Sequence, residues 1–70
     1  MNKTMNNEEI KDMMLNNGYK LLSEEGMYLQ FAKGDWNNYK SKFEVVTYLN
    51  GVEFENFNTN DIGGYIRDLQ

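Results

Sequence analysis

The chain has no histidine and no cysteine among its 70 residues. Without histidine it lacks the side chain that most often serves as general base at neutral pH. Without cysteine it has no thiol nucleophile, no disulfide, and few routes to a structural zinc or haem site. Glycine-rich phosphate loops are missing as well. The six glycines form neither GxGxxG nor GxxxxGK[ST]. No apolar run approaches the length of a membrane span, and the first ten residues, MNKTMNNEEI, carry no apolar signal core. These absences argue against an enzyme, a cofactor and a metal site. They lead us to expect a protein of the interior of a cell.

What is present is a short acidic chain rich in asparagine and aromatics. Seventy residues make one domain near the lower size limit for folding alone. With no disulfide and no Cys/His metal site, stability must come from aromatic packing, from a homodimer, or from a partner. Five Tyr, four Phe and one Trp supply the packing. The eleven Asn include the pairs Asn6-Asn7, Asn16-Asn17 and Asn37-Asn38, which suit caps and turns. Such usage also fits an AT-rich coding sequence, as in a low-GC bacterium or its phage.

The net charge is -4, unevenly placed. Lys33, Lys40 and Lys42 against Asp35 give residues 33–42 a local +2. Glu44, Glu53, Glu55, Asp61 and Asp68 against Arg67 give residues 43–70 a local -4. Direct binding to nucleic acid needs the opposite balance, because phosphates are neutralised by clustered Lys and Arg.

Residues 1–5 read as a frayed end and residues 6–70 as one domain. Asn6 with Glu9 three residues on forms a capping box, and Ile10, Met13, Met14 and Asn17 follow at helical spacing. Asn17-Gly18 stops this first helix. Lys11 lies on its opposite face, where truncation should be nearly neutral.

Two hairpins come next. The first runs from Tyr19–Ser23 through a turn at Glu24-Glu25-Gly26 to Met27–Lys33. The second runs from Lys42–Leu49 through Asn50-Gly51 to Val52–Phe57. Asn-Gly supplies two positive φ values for a type I′ turn. An uninterrupted ladder from that turn places Leu49 opposite Val52, Tyr48 opposite Glu53, Thr47 opposite Phe54, and Val46 opposite Glu55. Phe43, Val45, Leu49, Val52 and Phe54 then form the core face. Glu44, Val46, Tyr48, Glu53 and Glu55 face outward.

A second helix is expected from Thr59 or Asn60. Its stripe is Ile62, Tyr65, Ile66 and Leu69, with Gly63-Gly64 inside it. The predicted fold is α+β: helix, four-stranded antiparallel meander, helix, in two layers with both helices on one sheet face.

The order helix, strands, helix, with YKLLSEEG before FEVVTYLNGVEF, resembles a double-stranded-RNA-binding domain. That resemblance implies phosphate contacts from a Lys-rich start to the last helix. The matching segment, Asn58-Thr59-Asn60-Asp61, contains no Lys, and the family has three strands where this chain offers four. The likeness is therefore read as convergence on a common small architecture.

Candidate chemistry is sparse. Glu53 and Glu55 on one strand are similar to a paired-carboxylate site, yet no third acid converges on them. Ser41 and Lys42 are adjacent on a strand and point to opposite faces. Binding is better served. Trp36 and Tyr39, flanked by Lys, make a loop suited to stacking or to a protein hot spot, unless Trp36 folds back as a lid over the core. The outward face, with Tyr28, Val46 and Tyr48 among Glu44, Glu53 and Glu55, makes an acid-rimmed aromatic patch for a basic host protein or for a second copy. Tyr48 is expected there to contribute to binding rather than to folding.

The concrete functional expectation is an inhibitor of anti-defence type, such as an anti-CRISPR, from a phage or mobile element. Its carboxylates would occupy the nucleic-acid-handling site of a host protein. The alternatives are an oligomeric nucleotide-binding protein and a non-enzymatic structural or accessory phage protein.

Overall fold

The computed structural model describes residues 5–38 and 40–62. Its elements are α1 (Asn7–Asn16), β1 (Lys20–Glu25), β2 (Tyr28–Lys33), β3 (Phe43–Leu49) and β4 (Val52–Thr59). The four strands form one antiparallel sheet in chain order, β1-β2-β3-β4. The expected meander is therefore present. The second helix, expected from Thr59 or Asn60, does not begin there: Thr59 is the last residue of β4 and residues 60–62 are not helical. The rest of that segment, from residue 63 on, lies outside the described residues, as does Tyr39.

Local chemistry explains the ends of α1. Asn6 Oδ1 accepts from the Glu9 N–H at 2.9 Å, and Glu9 Oε1 accepts from the Asn6 N–H at 3.1 Å. The capping box thus satisfies two amide groups at the helix start. At the other end Gly18 has φ +90°. Its N–H donates to the Leu15 carbonyl at 3.1 Å, and the Tyr19 N–H donates to the Met14 carbonyl at 3.0 Å. This is a Schellman closure with glycine in the left-handed position.

The Asn50-Gly51 turn is as expected, with φ +54° and +86° and Leu49 opposite Val52. The first hairpin turns one residue later than expected, at Gly26-Met27. Positive φ falls on Gly26 alone, the pattern of a type II′ turn. The Asn50 N–H donates to the Met27 carbonyl at 3.1 Å and ties the two turns together.

Two corrections follow from the ladders. First, the β3–β4 ladder is not continuous. Tyr48 pairs with Glu53, but Thr47 pairs with Glu55 and Val46 with Asn56, so Phe54 is an extra residue in a β-bulge. The expected Thr47–Phe54 and Val46–Glu55 pairs do not form. Second, both faces of the sheet carry core. On one face Ile10 and Met14 of α1 pack with Leu29, Phe31, Val46 and Tyr48. On the other, Leu22, Ala32, Phe43, Val45 and Ile62 form a second cluster, with Trp36 and Phe57 against it.

The expected outward face is therefore the face under α1. Val46 is 2 % exposed and Tyr48 9 %. The central strand β3 is buried at five of its seven positions, Phe43 and Val45 to Tyr48, because it lies between two packed layers. Conversely Val52 and Phe54, expected in the core, are exposed.

A similar irregularity in β1 makes Leu22 the extra residue between Leu21 and Ser23. Leu21 packs beneath α1, while Leu22 joins the second cluster. Lys11 also departs from expectation. Its Nζ lies 3.1 Å from Glu24 Oε1 and 3.2 Å from Glu8 Oε2, and it fastens α1 to β1.

Candidate functional site

The expected site residues divide into those the fold consumes and those it leaves available. Val46 and Tyr48 are consumed as core. Tyr48 meets the Phe31 ring edge-on, with centroids 6.3 Å apart. Burial, and next the nearby Glu53 carboxylate, push its hydroxyl pKa upward.

Glu44 is half-buried on the same face. Its Oε1 accepts from the Tyr19 hydroxyl at 2.8 Å and its Oε2 from the Asn56 side-chain amide at 2.9 Å. Desolvation first, and then this bond to Glu44, push Tyr19 up to about 12. Both carboxylate oxygens of Glu44 are thus used, tying β3 to Tyr19 just before β1 and to Asn56 of β4.

Trp36 adopts the lid arrangement. Its ring lies 4.8 Å from the Phe43 ring, inclined at 66°, and Lys20 Nζ sits 5.1 Å from the Trp36 centroid. It closes one end of the second sheet face together with Ile62. Gly34 lies against the same Phe43 ring: a Cβ at that position would overlap the buried Phe43 side chain.

The available residues are Tyr28, Glu53 and Glu55, but they do not form one patch. Glu53 stands opposite Tyr48 and Glu55 opposite Thr47, so the bulge sends the two carboxylates to opposite faces. The paired-carboxylate arrangement is therefore not built. No group of three or more acidic side chains at metal-ligand spacing occurs among the described residues.

A different surface emerges at the turn end of the second face. The register sets Tyr28, Leu49 and Val52 side by side across β2, β3 and β4. Phe54, two residues along from Val52, extends the row, since the first residue of a bulge keeps the side its alternation assigns. Leu22, the corresponding residue of the β1 bulge, likewise packs on this face. Val52 is 55 % exposed and Phe54 66 %. Glu25, opposite Tyr28, and Glu55 supply acidic groups on the same side.

This row was missed because an uninterrupted strand assigns Phe54 to the core. One signal was present. Phe54 and Phe57 are three apart, and on a regular strand they would face opposite ways. Only an inserted residue brings both to the face of Val52. No protein-family model, no curated protein and no solved structure matches this chain.

Proposed function

We propose that the protein is a small acidic binding module, not an enzyme, that holds a protein partner on the turn end of its second sheet face and the adjoining strand β4. The exposure of Phe54 carries this reading. Phe31 and Phe43 are fully buried and Phe57 is packed against the core, whereas Phe54 stands open two residues along β4 from the exposed Val52. An exposed aromatic among apolar neighbours with an acidic rim has the composition of a hot spot. The rim favours a partner with basic groups around an apolar centre.

The finer expectation, an anti-defence inhibitor that occludes a host nucleic-acid-handling protein, is compatible with an acidic rim. It cannot rely on a fixed row made by Glu53 and Glu55. The nucleotide alternative draws no support from Trp36, whose ring is engaged by Phe43 and Lys20.

The test is site-specific photo-crosslinking in a lysate of the cells in which the gene occurs. One chain carries the probe at Phe54 and another at Asp12, which is exposed on α1. A single protein captured from position 54 and absent from position 12 is expected. Equal labelling from both positions would reject the surface.

A further inference from the structure

We infer that the second half of β4 pairs antiparallel with the same stretch of a second copy, joining the two sheets into one continuous sheet. This does not rest on the binding-module reading and concerns a different part of the strand. β4 is an edge strand, exposed throughout except at Phe57 and Thr59, which are half-buried. Along an antiparallel strand, residues bonded to one neighbour alternate with residues bonded to the other. The Asn50 N–H donates to the Met27 carbonyl, so the even residues of β3 bond β2 and the odd residues bond β4. Val45 therefore bonds Phe57, and Phe43 bonds Thr59. Asn56 and Asn58 are left with their N–H and C=O groups pointing away from β3. Among the described residues, no backbone hydrogen bond outside the ladders involves β4.

Proteins guard free sheet edges with charge, bulges or proline. The β1 edge is guarded. Lys20, Glu24 and Glu25 are charged, the Leu22 bulge interrupts the strand midway, and Lys11 holds the Glu24 carboxylate. The first half of β4 is guarded by the bulge at Phe54 and the carboxylates on either side of it along the chain. From Asn56 to Thr59 the edge is regular and carries no charge.

The outward groups select the register, and the register selects a second copy. Centring a two-fold pairing on Phe57 sets Asn56 of each chain against Asn58 of the other, and each such pair exchanges both N–H···O bonds. Phe57 meets its own copy in the close non-bonded pair at the axis, and Glu55 meets Thr59. Centring on Asn56 instead runs the pairing into the Phe54 bulge, and centring on Asn58 runs it past Thr59, where β4 ends. In the Phe57 register no carboxylate stands opposite a carboxylate. Phe57 packs against the second cluster of its own chain, so the aromatic pair joins the two clusters across the seam. A chain of 70 residues with no cysteine lacks the usual staples of a small fold and gains from such a seam. Confined to residues 55–59, the seam is smaller than a standard interface of about 800 Å² per partner, so the dimer is reversible.

Sedimentation equilibrium of the full chain between about 10 µM and about 1 mM reads the state, with hydrogen exchange followed by NMR over the same range. A monomer–dimer equilibrium is expected. Exchange at Asn56 and Asn58 should slow as concentration rises. Exchange at Glu53, opposite the even residue Tyr48 and beyond the seam, should not change. Asn56→Pro removes an outward donor and spares the β3–β4 ladder. It should weaken dimerisation at least about tenfold, since each chain loses a hydrogen bond across the seam.

Crosslinking reads the register, free of interference from native cysteine. Phe57→Cys should form a disulfide with its own copy under mild oxidation, because a non-bonded pair has the short Cα separation a disulfide needs. Should that variant fail to fold, Glu55→Cys mixed with Thr59→Cys decides: the two should link to each other, and neither to itself. A monomer at every concentration, undiminished dimerisation of Asn56→Pro, or Glu55→Cys and Thr59→Cys each linking only to itself would overturn the seam. The pairing does not reach Val52 or Phe54, so capture of a partner from position 54 is read separately and can stand or fall without it.

Discussion

Two glycines stand where a side chain is not accommodated cheaply, one for its backbone conformation and one for lack of space. Gly51 sits at φ +86° in the second hairpin turn. A β-branched residue there is strained, so Gly51→Val should lower stability by about 1 to 3 kcal/mol. Gly34→Ala acts differently, by driving a methyl group into the Phe43 ring. It should cost about 1 to 3 kcal/mol through overpacking. Chemical denaturation measures both, and a wild-type midpoint for Gly34→Ala would show that the loop yields instead.

Tyr19 offers a pH test at the same scale. Its folded-state pKa is raised from 10.0 to about 12. Between those values the folded state holds a proton that the unfolded state has lost, so stability falls as pH rises through this window. Tyr48 is shifted in the same direction and adds to the slope. Melting curves between neutral pH and pH of about 11 should show this decline, and Tyr19→Phe should make it shallower. An identical slope in the variant would remove Tyr19 from the account.

At the scale of elements, β3 and β4 exchange the roles their residues suggest. Tyr48→Ala removes an aromatic from beneath α1 and should lower stability by about 3 to 5 kcal/mol. Phe54→Ala removes an exposed ring and should leave stability within about 0.5 kcal/mol of the parent. Paired thermal melts check the contrast, and the reverse order would restore an outward Tyr48. Asn6, Glu9, Gly18 and the Asn50-Gly51 turn were legible in the sequence because caps and tight turns are set by neighbours along the chain. The bulge at Phe54 was legible only as the three-residue spacing to Phe57. One inserted residue moves Glu55 and every later residue of β4 to the other face, so the expected acidic row dissolved with it.

For the whole molecule, the sheet has core on both sides. Trp36 reports on the second cluster while backbone circular dichroism reports on the helix and the sheet. One cooperative unit predicts coincident unfolding transitions from the two signals. An earlier Trp36 transition would show that the second face opens separately from the face under α1.

Composition and local pattern by themselves determined an acidic α+β chain, the capped helix, two hairpins and the type I′ turn. Each of these depends on contacts within a few residues, or on the period of one segment. Which face of β3 meets the helix was decided only by tertiary packing, because Val45 and Val46 are equally apolar and the strand is buried on both sides. The fate of the aromatics was decided there too. Tyr48 went under α1, Trp36 went onto Phe43, and Phe54 was left in the open by a bulge whose position depends on how β3 and β4 fit together in the sheet.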